Sequence, residues 1–410
     1  MKVTVTDPKK ISIRWLYLVV GVIALLFAGI IYGWSILKAP LSEEFSWSAD
    51  QLAVNFTLTM CFFCLGGFIG GILSRKIGIR LTLILGGIIG CAGFFLTSRL
   101  SGNVAMLYVS YGGLAGLGIG FAYTTTISTV NAWFPDKKGF CSGALMMGFG
   151  TSALVIGNAA NALINSPSVG WRTTFLILGI ALGVVLLAAG LILKLPAPDL
   201  KLPQPAQKAG TASEDFEVRD FIPTQMIRRF TFWRAFVCIV FLAAVGNTVI
   251  SFARDLSLSV GAEAGLATTL VGVLSVCNGL GRIATGAIFD KLGRRKTMLL
   301  ANIVSIVAAG VTLLSVFTSS VPLCVVGLCV TGFSYGSCPT ISSAFTSAFY
   351  GSKNFSVNFS IMNFNLMGAS LMATLSSMLL TSSGGYVAPF VLLLALSVVA
   401  LVLNLSIKRP

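Results

Sequence analysis

Long apolar segments alternate with short polar segments along nearly the whole chain. Each apolar segment holds enough residues to cross the roughly 30 Å hydrocarbon core of a bilayer as an α-helix. We therefore predict an all-α membrane protein with twelve transmembrane helices. The predicted spans, numbered in chain order, are Trp15–Leu37, Ala49–Leu73, Leu81–Thr97, Val104–Trp133, Gly139–Ile164, Trp171–Leu195, Phe232–Ala253, Gly265–Phe289, Thr297–Phe317, Val321–Phe345, Asn354–Thr381 and Gly385–Ile407.

A polar stretch rich in Pro, Lys and acidic residues divides the spans into two sets of six. We predict an N-terminal six-helix half at residues 1–195, a cytoplasmic linker at 196–231 and a C-terminal six-helix half at 232–410. The later part of the linker, 215–230, is either a short amphipathic helix on the membrane surface or a solvated segment. Span 1 is too long for the apolar part of a secretory signal, so we expect it to be retained.

The two halves resemble each other at two places. The segment GAIFDKLGRRK (286–296) has a degraded counterpart 216 residues earlier in GGILSRKIGIR (70–80), with Ser74 at the acidic position. The segment GFSY (332–335) echoes GFAY (120–123), which lies 212 residues earlier. Parallel six-span repeats are a transporter architecture in which the substrate binds between the repeats near the bilayer midplane. The pattern therefore predicts two six-helix repeats around a central site.

Composition and charge agree with a membrane protein and indicate its orientation. Of the 410 residues, 56% are hydrophobic and only 10% are charged, which is too little polar surface for a soluble domain. The 28 Lys and Arg residues concentrate in alternate loops, and this bias predicts a multi-pass protein of a bacterial-type inner (plasma) membrane with both termini cytoplasmic. The exceptions are Lys38, Arg99, Arg172, Arg254 and Arg282. We read the basic loops as topology signals and expect no nucleic-acid partner.

The sequence also excludes several kinds of chemistry. It contains no histidine, which removes His-dependent catalysis and His metal ligation. The nine cysteines all fall inside predicted spans, where free thiols behave as small hydrophobes. We therefore expect no catalytic residues, no metal, no cofactor and no enzyme activity, and we expect a monomer.

Arg282 is the one charge in the otherwise uncharged run from Gly265 to Phe289. A guanidinium at this depth costs at least about 2.5 kcal/mol, so it needs a compensating partner. On a helical wheel the residues on its side are polar: Thr268, Ser275, Asn278 and Thr285. Arg282 either snorkels toward Asp290 or binds an anion in an aqueous cavity, and the repeat architecture favours the anion site.

The segment GAIFDKLGRRK resembles the loop motif of the major facilitator superfamily, G-x-x-x-D-(R/K)-x-G-(R/K)-(R/K), in sequence and in its position after span 8. This resemblance implies that Asp290, Arg294 and Arg295 form a gating motif, an ionic latch between helices on the cytoplasmic face. Because the earlier copy has Ser74 in place of the acid, the resemblance implies no such latch there.

Three further features resemble the oxalate/formate antiporter branch of that superfamily, which includes bacterial monocarboxylate transporters. They are WFPDKKGFCSGALMMGFG (133–150), the N-G-x-x-R pattern of Asn278, Gly279 and Arg282, and KNFSVNFS before span 11. The resemblance implies that Arg282 pairs with a substrate carboxylate. Oxalate carriers of this branch also place a lysine inside span 11, and this chain has none there. One buried cation suits one carboxylate.

The remaining candidate substrate-binding residues are polar side chains within spans. Tyr123 and Tyr335 lie in the repeated GF-x-Y segments and Tyr32 lies in span 1; each either donates to a carboxylate or packs with a satisfied hydroxyl. Asn363 and Asn365 of span 11 either face the cavity or form interhelical hydrogen bonds. We expect Asn278, one turn before Arg282, to orient the guanidinium.

Proton coupling needs a group that changes charge, and Asp255 at the outer end of span 7 is the candidate. Burial there would make it a proton acceptor, whereas the alternative is a solvated pair with Arg254.

Together these features predict a secondary active transporter that moves small monocarboxylates, such as lactate, pyruvate, formate or acetate, by alternating access with proton symport. Its expected partners are a small carboxylate, protons and the lipid bilayer. The alternatives are antiport, as in an oxalate/formate-type carboxylate exchanger, and a membrane sensor that has lost transport.

Overall fold

The computed structural model describes residues 8–197, 200, 202–203 and 220–407, and the regular elements in this part of the chain are all helices. The α-helices are α1 Pro8–Ala28, α2 Trp34–Leu37, α3 Ala39–Phe45, α4 Ala49–Lys76, α5 Ile79–Ser98, α6 Val104–Leu107, α7 Gly116–Asn131, α8 Lys138–Ile164, α9 Gly170–Ile192, α10 Pro223–Ile227, α11 Phe230–Ser259, α12 Ala264–Thr318, α13 Val321–Tyr350, α14 Phe355–Asn363, α15 Asn365–Ser383 and α16 Val387–Leu405.

The prediction of twelve transmembrane helices is confirmed. Among the described residues, eleven helices are long and apolar enough to cross a membrane, and one of them, Gly265–Thr318, has 54 residues. At 1.5 Å per residue this length is more than twice what one crossing needs, so it holds predicted spans 8 and 9. The two spans meet at Gly293, where the backbone leaves helical geometry.

Three spans contain an irregular segment. A 3₁₀ turn at Gly29–Gly33 follows α1, a π-helix at Tyr108–Ala115 joins α6 to α7, and Phe364 separates α14 from α15. Short 3₁₀ and π segments inside longer helices often mark functional positions, and interrupted helices surround the sites of many transporters. The interruptions in spans 1 and 11 lie next to Tyr32, Asn363 and Asn365, which the sequence singles out.

Two glycines make the same turn in the two halves. Gly78, between α4 and α5, has φ +88° and ψ 163°, and Gly293, inside α12, has φ +74° and ψ 177°. Residues with a Cβ atom rarely adopt this region, so glycine is the residue that allows each reversal. Because Arg80 and Arg295 lie just beyond these turns, we call this end of the molecule the basic end.

The matching turns change the register in which the repeat copies align. The sequence alignment at 216 residues places Ser74 opposite Asp290, whereas Gly78 and Gly293 align at 215 residues and place Arg75 there. The assignment of Ser74 to the acidic position is therefore wrong by one residue. The earlier copy has a cation where the later copy has an anion.

Hydrophobic packing joins the halves as well as filling each one. One core cluster consists of residues from α1 to α9 but also contains Phe355, Phe359 and Leu366 of α14 and α15. Two further clusters fill the part of the chain from Phe221 onward. Span 11 therefore packs into the core of the first six spans.

The described end of the linker is anchored on the protein. The amide of Phe221 donates to the carbonyl oxygen of Tyr350 at 3.0 Å, and Asn354 and Asn358 donate to the carbonyl oxygen of Phe221. The following helix, α10, has only five residues and buries Met226 completely. From residue 220 onward the linker is held against the protein by Phe221 and Met226, while most of its other side chains up to residue 230 are exposed. Residues 215–219 lie outside the described part.

Candidate functional site

Arg282 lies inside the protein at the contact between α12 and α8. The residue is 1% exposed, so its charge is removed from water and lipid alike. Its Nε donates to Oδ1 of Asn278 at 3.1 Å, one turn back on α12. Its Nη1 donates to the carbonyl oxygen of Met146 on α8 at 2.5 Å. Nη2 has no hydrogen-bond partner among the described residues.

These contacts bear on the two interpretations of Arg282. A snorkelling side chain would run toward the membrane surface and Asp290, whereas this guanidinium turns to Asn278 and to the facing helix. Both partners are neutral oxygen atoms, so the positive charge is solvated but not neutralised. Among the described residues, the hydrogen bonds of this guanidinium go to no carboxylate.

Glycine lets α8 approach the guanidinium. A Cβ atom added at Gly150 would lie 2.8 Å from Cζ of Arg282, 2.9 Å from Nε and 3.1 Å from Nη2. One added at Gly143 would overlap the carbonyl oxygen of Arg282, which also accepts a hydrogen bond from Thr340 of α13. Arg282 is thus enclosed by α8 on one side and α13 on the other.

Two of the candidate tyrosines lie close to Arg282, and Tyr32 lies close to both of them. Tyr123 and Tyr335 are each 2% exposed and are near enough to Arg282 to interact with its charge. Tyr32 interacts with Tyr335 through their hydroxyl groups. The ring of Tyr123 packs on Phe149, with centroids 4.9 Å apart. These three residues come from spans 1, 4 and 10 and surround one central region.

The asparagines of span 11 are buried but engage other groups. Asn365 donates to Oγ of Ser342 at 3.2 Å and to the carbonyl oxygen of Met362. The carbonyl oxygen of Asn363 accepts from the thiol of Cys64 on α4. The Oδ1 atoms of both asparagines have no partner among the described groups. Asn365 thus forms the interhelical bond of the alternative interpretation while its acceptor stays open.

Asp255 lies in a different environment. It is exposed on α11, three residues after the kink at Phe252, and lies beside Tyr386, which precedes α16. The burial that would favour a proton acceptor there is not found in this structure. Asp255 is solvent-exposed, and its role in proton coupling stays a prediction.

The gating motif contacts α8 through the main chain. Oδ1 of Asp290 accepts from the amide of Gly139 at 2.9 Å, and Oδ2 accepts from the amide of Phe140 at 2.8 Å. These amides belong to the first turn of α8, where backbone N–H groups have no helical partner and the helix dipole favours an anion. The expected ionic latch is therefore a carboxylate on a helix N-terminus.

The basic residues of the motif, Arg294 and Arg295, lie in different surroundings. Cζ of Arg294 lies 5.0 Å from the ring centroid of Phe349 near the end of α13, within cation–π range. Arg295 is exposed at the basic end.

Glycines at seven-residue intervals line the face of α12 that meets α8. A Cβ atom at Gly286 would overlap the carbonyl oxygen of Gly139, and one at Gly279 would lie 2.7 Å from Cγ2 of Thr151. At Gly272 the nearest atom is 4.0 Å away, and at Gly265 no atom lies within 4 Å. The contact is tightest at the basic end and loosens toward the other.

Sequence reasoning did not find Met146, Gly150 or Thr340. The carbonyl of Met146 is a main-chain group and leaves no residue signature. Gly150 did carry a signal, because Gly143, Gly150 and Gly157 repeat every seven residues and so lie on one face of a helix.

Comparison with known proteins gives consistent matches over most of the chain. Residues 19–363 and 236–410 match the family model of the Major Facilitator Superfamily. The chain is 27% identical over 350 residues to the uncharacterized MFS-type transporter YhjX of Escherichia coli K12, covering 85% of this chain and 84% of that protein. It is 30% identical over 291 residues to the oxalate:formate antiporter of Oxalobacter formigenes, covering 70% and 65% of the two chains.

Among solved structures, the proton:xylose symporter XylE bound to 6-bromo-6-deoxy-D-glucose matches with a TM-score of 0.73 at 13% identity, covering 97% of this chain and 96% of that one. The transporter FucP in the outward conformation matches with a TM-score of 0.69 at 12% identity, covering 96% and 99%. At these identities the likeness shows the fold.

Proposed function

The chain belongs to the Major Facilitator Superfamily, and we propose that it carries small monocarboxylates across the membrane by alternating access. As a member it is a multi-pass membrane transporter and not an enzyme. The proposal narrows this to one substrate class. It places the basic end in the cytoplasm, takes residues 1–195 and 232–410 as the two halves that move, and treats the membrane as a bacterial-type inner membrane with both termini cytoplasmic.

The observation that carries the proposal is the state of the Arg282 guanidinium. It is buried, it is held by two neutral oxygen atoms, and one of its nitrogens has no partner among the described residues. A carboxylate is the common small anion whose two oxygens match a guanidinium edge. In a water-excluded site this pairing is much stronger than in water, so substrate would offset part of the cost of the buried charge.

The surroundings limit the size and charge of the substrate. Tyr123 and Tyr335 place aromatic rings and hydroxyls near the cation, with Tyr32 beside them, which suits a short organic acid with an apolar or hydroxylated tail. Span 11 contributes asparagines but no basic residue. One cation and one carboxylate make lactate, pyruvate, formate and acetate the substrates to try first.

Coupling to protons is the second part of the proposal, with Asp255 as the group that takes the proton. The alternative is exchange of one carboxylate for another, and one observation favours it: the 30% identical relative is an oxalate:formate antiporter. The exposed position of Asp255 gives the exchanger further weight.

Uptake by proteoliposomes tests substrate and coupling together. We expect wild-type carrier to accumulate at least one of the four acids, and Arg282→Ala to lose transport by about 100-fold or more, since about 3 kcal/mol of charge-assisted bonding is lost. Arg282→Lys should retain little, because an ammonium cannot hold a carboxylate bidentately. Arg99→Ala, at an exposed arginine between spans, is the matched control and should transport normally.

Full activity of folded Arg282→Ala toward every acid would contradict the proposal. Uptake driven by a pH gradient, and lost in Asp255→Asn, would support symport. Uptake driven only by preloaded oxalate or another carboxylate would assign the exchanger instead.

A further inference from the structure

Three contacts fix the Arg282 guanidinium, and two of them come from α8. Asn278 of α12 accepts from Nε, the Met146 carbonyl of α8 accepts from Nη1, and Gly150 of α8 lies against the guanidinium itself. A guanidinium has five N–H bonds: one on Nε and two on each terminal nitrogen. Asn278 uses the single hydrogen of Nε, and Met146 uses one of the two on Nη1.

The hydrogens that remain define where a carboxylate fits. Two edges of an arginine can bind a carboxylate bidentately, the Nε/Nη2 edge and the Nη1/Nη2 edge. Because the hydrogen on Nε is bonded to Asn278, the first edge lacks one of its two donors. Nη1 keeps one hydrogen and Nη2 keeps both.

We propose that Gly150 is a positioning residue that, with the Met146 carbonyl, holds Arg282 so that the Nη1/Nη2 edge receives the substrate. The inference rests on the proposed function, because it concerns the way in which that same arginine meets a carboxylate.

The absence of a side chain at Gly150 is what permits this arrangement. The nearest atoms to an added Cβ are Cζ, Nε and Nη2 of Arg282, all between 2.8 and 3.1 Å. A methyl group there has to push the guanidinium aside, and a displaced guanidinium loses its bonds to Asn278 and Met146 together. The three nearest atoms all belong to the Arg282 side chain, so the overlap falls first on that side chain.

Gly143 shows the contrast two turns earlier on the same face of α8. A Cβ atom there would overlap the main-chain carbonyl of Arg282, so a side chain would separate α8 from α12. Gly143 is required for helix packing, whereas Gly150 is required for the position of one side chain. At Gly157, two turns beyond Gly150, the nearest atom to an added Cβ is the end of the Ile36 side chain, Cδ1, at 3.0 Å. It offers a matched control.

The first arm of the test measures binding of L-lactate, pyruvate, formate and acetate to the purified full-length carrier by titration calorimetry. For any acid that binds the wild type, Gly150→Ala should raise Kd about tenfold, as expected when a charge-assisted contact is misaligned. Gly157→Ala should stay within about twofold of the wild type. Equal Kd values for Gly150→Ala and wild type would overturn the proposal.

The second arm needs no substrate and therefore separates this inference from the proposed function. The midpoint of thermal unfolding is measured for wild type, Gly150→Ala, Arg282→Ala and the double variant. Gly150→Ala should lower the midpoint when Arg282 is present but not when residue 282 is alanine, because the overlapping group is then gone and alanine is the better helix former. A purely structural role for Gly150 would lower the midpoint equally in both backgrounds, and that result would refute the positioning role.

Discussion

Two helix–helix contacts join the halves at the basic end. Their backbone geometry is similar, but the charged residue beside each contact has the opposite sign. Where α12 meets α8, Gly286 packs on the carbonyl of Gly139, and Asp290 follows four residues later. Where α4 meets α14, a Cβ atom at Gly71 would lie 2.9 Å from the carbonyl oxygen of Ser356, and Arg75 follows four residues later.

The charged residue determines which hydrogen bonds form at each contact. Asp290 bonds directly to two main-chain amides at the start of α8. Arg75 is a hydrogen-bond donor and cannot accept from such amides. Its Nη1 donates instead to the side-chain oxygen of Asn354, which precedes α14, at 2.7 Å. The N-terminal end of a helix therefore stabilises the carboxylate of Asp290 but gives no stabilisation to the cation of Arg75. The difference teaches that a repeat can keep its backbone while its two interfaces acquire unequal strength.

Removing Asp290 should have the largest effect on this comparison. Asp290→Ala leaves two amides of α8 without their acceptor, and we expect the free energy of unfolding in detergent to fall by about 1–2 kcal/mol. Asp290→Asn keeps an acceptor without the charge and should lose about half as much. Chemical unfolding followed by tryptophan fluorescence measures both. An unchanged midpoint for Asp290→Ala would mean that this contact does not hold the halves together.

The two glycine turns should respond equally. Neither Gly78 nor Gly293 has an atom within 4 Å of an added Cβ, so alanine meets only the backbone cost of positive φ. We expect Gly78→Ala and Gly293→Ala each to lower the free energy of unfolding by about 1 kcal/mol. Clearly unequal losses would show that the turns are not equivalent and that the register of 215 residues does not hold.

Reversing the charge at position 75 should give the smallest change, and in the opposite direction. Arg75→Asp gives the α4–α14 contact the same spacing from Gly71 to carboxylate as the α12–α8 contact has. Relative to Arg75→Ala, we expect Arg75→Asp to raise the free energy of unfolding by about 0.3–1 kcal/mol, the worth of an anion at a helix N-terminus. If Arg75→Asp is the less stable of the two, the end of α14 is not an equivalent anion site.

Much of the fold was predictable from sequence because a bilayer demands long apolar runs and allows few alternatives to helices. The twelve spans and the exceptional position of Arg282 follow from that constraint. The register of the repeat did not follow, because Ser74 and Arg75 differ by one position and only the turns at Gly78 and Gly293 show which residue is equivalent to Asp290.

The candidate site was predictable only where it is formed by side chains. Arg282 and Asn278 can be recognised in the sequence as polar residues on one face of an apolar helix. The Met146 carbonyl does not, since every residue has one and only the approach of α8 brings this one to Arg282. The exposure of Asp255 likewise depends on how α11 bends at Phe252, which no local sequence signal indicates.

The four glycines along α12 have a consequence for how such a sequence can vary through evolution. Gly286 faces main chain and tolerates no side chain unless two helices shift, whereas Gly265 has open space around it. Gly279 and Gly272 are intermediate, because an added Cβ atom would meet side-chain atoms, and not main chain, at 2.7 and 4.0 Å. Substitutions can therefore accumulate in order from Gly265 inward. A descendant could acquire a new selectivity at the Gly265 end long before it altered the close contact beside Asp290.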